Sequence, residues 1–331
     1  HHTGYYWIVE GDISKCFDRI DHAILLKRLY HMGVRDRRVL QIIKAMLKAG
    51  VMDECEVNEE GTPQGGLISP LLANVYLDIM DEWIAKQWEN KKTRFLYGRQ
   101  NTKCNALSKR TSLTPGYLVR YADDWLAGVC GTKAECEELK TEIAEFLSTE
   151  LKLTLSEEKT LITHSSEKVR FLGYDICVRR SREVKGHRMK NGTWRKSRTL
   201  HMKVALTIPH TEKIEKFMFA KKVIRQKENG EFQPIHRAGL LNLADYEIVE
   251  QYNAEARGLC NYYNLACDYH TLDYFCFLME YSCLKTIAGK HRTSIRKIIR
   301  QYKDGKTWSV PYETKTGTKR VRPVKIADCK R

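Results

Sequence analysis

The sequence holds no run of 18 or more apolar residues, so no segment reads as a helix crossing a bilayer. No signal peptide is evident, and the chain opens His1-His2 rather than with Met, which reads as a fragment or a trimmed product. Its 11 cysteines include no CxxC pair, a pattern that fits unbridged thiols in a reducing compartment better than a disulfide framework. Cys260, Cys267, Cys276 and Cys283 recur every seven to nine residues in helical sequence and read as small core residues rather than metal ligands. Internal repeats and low-complexity tracts are also missing. What remains is a chain of 331 residues, long enough for a real core and two domains.

Charge is present in quantity but unevenly placed. Residues 1–169 carry 23 Lys/Arg against 25 Asp/Glu, a net of −2, whereas 170–331 carry 34 against 16, a net of +18. Solubility needs no such asymmetry. A polyanionic partner explains it, because each neutralised phosphate releases condensed counterions. An anionic membrane surface is the alternative.

Hydrophobic periodicity places the elements. Asp21 caps a helix with Ile24, Leu25, Leu26 and Leu29 on its apolar face, stopped by Gly33. Asp36 caps a second helix, ended by Gly50. Thr62-Pro63-Gln64-Gly65-Gly66 is a loop running into Ser69-Pro70, an N-cap with Pro at the first helical position. Residues 86–116 are polar, basic and aperiodic, an insertion or long loop. Thr132 and Glu135 form a capping-box pattern. Strands alternate with helices as far as Ile176, a basic β-ribbon with an Asn191-Gly192 turn fills 177–204, and helices are expected over 212–228, 245–268, 273–288 and 293–302. The expected domains are an α/β (α+β) palm over 1–176, the ribbon, a helical domain over 205–310 and a basic tail over 311–331.

The chemistry sits at Tyr121-Ala122-Asp123-Asp124, the tip of a hairpin whose arms are Leu118-Val119-Arg120 and Trp125-Leu126-Ala127. Adjacent carboxylates between apolar strands repel each other, and a divalent cation removes that repulsion. An Asx-rich turn is the plainer explanation. Asp12 adds a third carboxylate at the exit of the strand Tyr6-Trp7-Ile8-Val9. Two-metal phosphoryl transfer uses ions roughly 3.5–4 Å apart, and Mg²⁺ takes oxygen ligands. Asp12, Asp123, Asp124 and the Ile13 carbonyl are the candidate ligands. With such a site in one half, nucleic acid becomes the better partner for the basic other half.

Several segments in this order resemble the group II intron reverse transcriptase/maturase family. They are Gly11-Asp12-Ile13-Ser14-Lys15-Cys16-Phe17-Asp18, Thr62 to Pro70, Tyr121-Ala122-Asp123-Asp124, Leu155-Ser156-Glu157-Glu158-Lys159-Thr160 and Phe171-Leu172-Gly173-Tyr174. Behind them, Ala256-Arg257-Gly258-Leu259-Cys260-Asn261-Tyr262-Tyr263 and Thr286-Ile287-Ala288-Gly289-Lys290-His291 are similar to the family's thumb, or maturase X, domain.

The resemblance implies an RNA-directed DNA polymerase with an antiparallel catalytic hairpin and a helical thumb. Asp12, Asp123 and Asp124 would hold two Mg²⁺, and deoxynucleoside triphosphates would be the substrates. Phe17 would lie against the incoming sugar and exclude a 2′-OH, with an ordinary core Phe as the alternative. Gln64 and Gly65 would approach the nucleotide, with a plain turn as the alternative. Lys159 would sit at the triphosphate and protonate the leaving pyrophosphate; otherwise it is a solvated Lys paired with Glu157 or Glu158. Phe171, Leu172, Gly173 and Tyr174 would grip the primer end. Arg195, Lys196, Arg257, Lys290, His291 and Arg292 would hold intron RNA or an RNA template with its DNA primer. Arg120 reads as a structural ion pair.

The expected setting is bacterial, cytoplasmic and nucleoid-associated. The family's fingers motifs precede Asp12 and its endonuclease region follows the thumb, and neither is found in this sequence. A non-catalytic RNA-binding splicing factor is the rival function.

Overall fold

A computed structural model describes residues 6–48, 60–62, 66–87, 92–99, 102–103, 106–107, 116–180, 183–189, 191–198, 203–315 and 317–329. The chain divides into two compact units, one of His1–Phe171 with Cys177–Val204, the other of Leu172–Ile176 with Ala205–Arg331.

The first unit is α+β. Its sheet is antiparallel, in the order β2 (Gly116–Tyr121), β3 (Asp124–Val129), β1 (Trp7–Ser14), β4 (Thr154–Leu155), with β5 (Leu161–His164) also pairing β1. Alternation along the strands sorts their side chains by face. Val9 and Ile13 of β1 and Trp125, Ala127 and Val129 of β3 are buried. They pack with Leu72, Tyr76 and Met80 of α3 (Ser69–Gln87) and with Ile143 and Leu147 of α4 (Lys133–Glu150). Gly11 lies opposite Trp125 in the ladder, and a Cβ there would come within 2.1 Å of the indole. Only glycine lets that ring lie across the strand that carries Asp12.

Three helix starts follow the sequence signals. Asp21 caps α1 (His22–His31), accepting from Ala23 N at 2.8 Å and Ile24 N at 2.9 Å, and Lys152 Nζ sits 2.5 Å from its other oxygen. Thr132 and Glu135 make the reciprocal capping box of α4. Asp36 Oδ1 accepts from Arg38 N at the start of α2 (Arg37–Lys48). After β6 (Val169–Phe171) and β7 (Tyr174–Arg179), β8 (Val184–Arg188) pairs β9 (Trp194–Arg198) as an exposed ribbon turned at Asn191-Gly192, with Gly192 at φ +83°.

In the second unit, after β10 (Lys203–Thr207), a π-helical turn His210–Glu215 leads into the short α5 (Lys216–Ala220). The continuous helix expected over 212–228 therefore ends early. Lys222 turns left-handed (φ 53°), and β11 (Ile224–Gln226) pairs β12 (Phe232–Pro234) instead. The long helices are α6 (Asp245–Tyr262) and α7 (Leu272–Lys290), followed by α8 (Ile295–Gln301). Cys260, Cys276 and Cys283 are core residues here, while Cys267 is exposed.

Residues expected as a tail are folded onto this core. Beyond the small pair β13 (Lys303–Asp304) and β14 (Thr307–Trp308), β15 (Val310–Thr314) pairs β16 (Gly317–Val321). Tyr312 of β15 stacks on Tyr246 of α6 with ring centroids 4.8 Å apart. Asn253 of α6 bonds Arg322 O and Val324 N, each at 2.8 Å, and α9 (Ile326–Cys329) buries Cys329.

Asp245 is the electrostatic centre of this unit. Its carboxylate accepts from Lys290 Nζ at 2.7 Å and bonds His291 Nε2 and Tyr302 OH, each at 2.6 Å. Burial alone would raise its pKa, but the bonds from Lys290, Tyr302 and His291 hold it below the ordinary carboxylate value of 3.8. A depressed folded-state pKa stabilises the fold at pH values above the unfolded value. That contribution is lost as pH falls below about 4 and through the folded pKa. Asp245→Asn should therefore cost about 3 kcal/mol, the scale of breaking a buried pair, and should flatten the acid limb of the unit's stability. Denaturant unfolding between pH 3 and pH 7 reads both effects; an acid limb identical to the parent's would refute the assignment.

Candidate active site

Strand register brings two acidic side chains together, with a third in the adjoining turn. Asp12 on β1 lies directly across the ladder from Asp124 on β3, and Asp124 pairs in turn with Tyr121 on β2. Residues directly opposite in an antiparallel pair have Cβ atoms about 4.5–5.5 Å apart, so Asp12 and Asp124 share one face and one row. Ala122 and Asp123 form the two-residue turn between β2 and β3. Ala122 has φ 55°, a conformation that disfavours any residue with a Cβ. Strain of this sort concentrates at functional turns.

Electrostatics shows the crowding. Burial raises the pKa of Asp124, the charges of Asp123 and Asp12 raise it further, and Lys159 opposes them. Beneath the turn, burial followed by the charge of Asp123 pushes the Cys16 thiol up to about 12. Lys159 Nζ sits 2.7 Å from Asp12 Oδ2, and that contact raises the pKa of the ammonium. So Lys159 pairs with Asp12 rather than with Glu157 or Glu158. Its side chain remains 70% exposed, and the loop carrying it is pinned by Ser156 N to Asp12 O (2.9 Å) and by Lys140 Nζ to Thr160 O (2.9 Å).

Among the described residues, no three His, Cys, Asp or Glu side chains are placed so that together they could hold a metal ion. Asp12 and Asp124 are neighbours by register, and Asp123 precedes Asp124 in the turn. Their all-oxygen donor set, the raised pKa of Asp124 and the cation already seated on Asp12 fit a hard divalent ion. A group whose folded pKa is raised favours folding below its unfolded pKa, and this advantage is lost as pH rises through the folded value. At neutral pH the Asp124 charge therefore works against the metal-free fold. Asp124 is exposed, and solvent screens these charges, so Asp124→Asn should raise the metal-free Tm only slightly, by about 1–2 °C, the scale of about 0.5 kcal/mol in a unit this size. Calorimetry in EDTA tests this, and a lowered Tm would contradict it.

The remaining predicted residues are spread over both units. Ile13 is buried and pairs with Leu155. Phe17 is half-buried in a 3₁₀ turn, Cys16–Arg19, and its carbonyl accepts from Thr62 N at 2.7 Å. Gly61, at φ +87°, passes so close to this turn that a Cβ would lie 2.9 Å from Asp18 O. That clip sets the start of the Thr62-Pro63-Gln64 loop beside Phe17; Gln64 and Gly65 themselves lie outside the described residues.

Phe171 ends β6, while Leu172, Gly173 and Tyr174 belong to the second unit. Leu172 (φ 47°) and Gly173 (φ 72°) have the sign pattern of a type I′ turn. Their carbonyls accept from Tyr262 OH at 2.6 Å and Tyr263 OH at 3.2 Å, and Tyr174 stacks on Tyr262.

Arg195, Lys196, Arg257 and Arg292 are exposed. Lys290 and His291 are engaged otherwise, since both are bonded to the buried Asp245. Sequence reading missed Asp245 because its partners lie 45 and 46 residues away.

The reverse transcriptase (RNA-dependent DNA polymerase) family matches residues 1–176, and the type II intron maturase family matches residues 201–327. The chain belongs to the reverse transcriptase family. It is 40% identical over 366 aligned residues to the group II intron-encoded protein LtrA of Lactococcus lactis subsp. cremoris, covering 99% of this chain and 60% of that one. It is 34% identical to the protein YkfC of Escherichia coli over 53% of this chain and 48% of that one. Among solved structures, apo telomerase from Candida tropicalis matches with a TM-score of 0.42 at 12% identity, covering 90% of this chain and 43% of the other. The chain thus spans about 60% of the length of its L. lactis relative.

Proposed function

We propose that this reverse transcriptase family member is the polymerase and maturase core of a group II intron-encoded protein. It copies RNA into DNA by two-metal nucleotidyl transfer and binds its intron RNA to assist splicing and mobility. The observation that carries the polymerase reading is the ladder pairing of Asp12 with Asp124, with Asp123 beside them on a strained turn.

Asp12, Asp123 and Asp124 would hold the Mg²⁺ ions, with the Ile13 carbonyl as a further oxygen donor. When bound, those ions activate the attacking hydroxyl and neutralise the charge developing on the phosphates. The protein's own contribution is placement. Lys159, bonded to Asp12 and largely exposed, would offer its ammonium to the leaving pyrophosphate. Gln64 and Gly65 follow Thr62, whose amide bonds the Phe17 carbonyl, and would meet the nucleotide.

The decisive assay is extension of a DNA primer on an RNA template with deoxynucleotides and Mg²⁺. Tight RNA binding with no extension, and splicing assistance intact, would favour the splicing-factor reading. Phe17 carries its own test. Replacing it with Ala should raise ribonucleotide use relative to deoxyribonucleotide use about tenfold or more, about 1.4 kcal/mol of discrimination. An unchanged ratio in an active variant would make Phe17 a core residue only.

A further inference from the structure

Arg120 stands where the strand pattern calls for an apolar side chain. Tyr117, Val119 and Tyr121 on β2 are exposed, whereas Leu118 and Arg120 point under the sheet, and only 9% of the Arg120 side chain is accessible. A buried guanidinium needs its donors satisfied. Two α3 residues seven apart, on one helix face, supply most of the partners. Arg120 Nε bonds both Asp81 oxygens at 2.9 and 3.1 Å, and Nη2 bonds Asp81 Oδ2 at 2.6 Å. Nη1 bonds Asn74 Oδ1 at 3.0 Å and, at 2.8 Å, the carbonyl of Ala122.

That last bond distinguishes this pair from an ordinary core ion pair. The Ala122 carbonyl belongs to the central peptide of the turn, the one joining Ala122 to Asp123. Ala122 has positive φ and Asp123 does not, the sign pattern of a type II′ turn, whose first central position favours glycine. Types II′ and I′ differ by a flip of this central peptide. Flipping it would turn the Ala122 carbonyl off Arg120 and re-aim Asp123. With Ala in place of Gly, the turn lacks the residue that would hold it by its own preference.

We propose that Asp81 and Arg120 are positioning residues for the catalytic turn. α3 anchors Arg120 through Asp81 and Asn74, and Arg120 holds the 122–123 peptide in the one orientation that aims Asp123 and Asp124. The inference rests on the reading of this turn as catalytic.

Three variants test it in the full protein: Arg120→Gln, Asp81→Asn, and Arg120→Gln combined with Ala122→Gly. Arg120→Gln should lower kcat for primer extension about 10- to 100-fold with KM for primer-template within about twofold, an effect on the chemical step alone. Asp81→Asn should give a smaller loss in the same direction. Adding Ala122→Gly should restore kcat at least about fivefold, because glycine adopts positive φ without a steric cost. The second readout needs no polymerase activity. Hydrogen exchange over 121–124 should quicken in Arg120→Gln, and Mn²⁺ binding followed by paramagnetic resonance should weaken with it. Parental kcat, exchange and Mn²⁺ affinity in Arg120→Gln would overturn the proposal. So would a kcat loss that Ala122→Gly fails to restore and that tracks a fall in Tm. If the parent itself extends no primer, the polymerase reading fails, and exchange and Mn²⁺ affinity still decide the positioning role.

Discussion

Alanine at position 123 should reduce RNA-templated primer extension at least about 10³-fold while leaving Tm and RNA affinity near the parent's. The size follows from what the carboxylate would do. Metal-centred stabilisation of a phosphoryl-transfer transition state amounts to several kcal/mol, and about 4 kcal/mol corresponds to a factor near 10³. Asp123 is only half-buried and lies in a two-residue turn outside the strand ladders, so the fold has little to lose. Its removal also relieves the charge that helps to raise the pKa of Asp124. Rates within tenfold of the parent would remove Asp123 from the metal site. A matching fall in Tm would mean the variant had lost structure rather than chemistry.

The second large effect concerns RNA. Arg195 and Lys196 are exposed on β9 beside Trp194, which is 75% exposed and open to base stacking. Arg257 and Arg292 are exposed in the helical unit. Neutralising these four to Gln should weaken binding of intron RNA about 10²-fold at moderate salt. It should also flatten the slope of log affinity against log salt by about 0.7–0.9 for each phosphate that the protein no longer neutralises. Filter binding across a salt series measures both. An unchanged slope would place the RNA elsewhere on the protein. Lys290 and His291 are poor choices for this experiment, because removing either uncovers Asp245 and confounds binding with unfolding.

These two sets of residues show what the sequence could and could not disclose. The placement of Asp12, Asp123 and Asp124 at one end of the sheet is legible because their oddity is local: charged residues sit at the ends of apolar strands, and period-2 alternation assigns Asp12 and Asp124 a face. The caps at Asp21 and Thr132 are local signals too, and both formed. Lys290 and His291 misled for the opposite reason. A Lys-His pair in a basic region looks solvated until its acidic partner is found at the start of another helix. Arg120 was half legible. Its ion pair could be guessed from a charge at an inward-facing position, but its bond to Ala122 O is a property of the folded turn. The early end of the helix expected over 212–228 follows the same logic, since a tertiary strand pair replaced an acceptable helical pattern.

The ribbon formed by β8 and β9 has one more consequence. From Val184 to Ser197, every described side chain is exposed, so none of them is part of a core. Substitutions at such positions usually shift stability by no more than about 0.5 kcal/mol. Mutation along this hairpin is therefore nearly invisible to the requirement that the protein fold. Selection there acts only through what the ribbon touches.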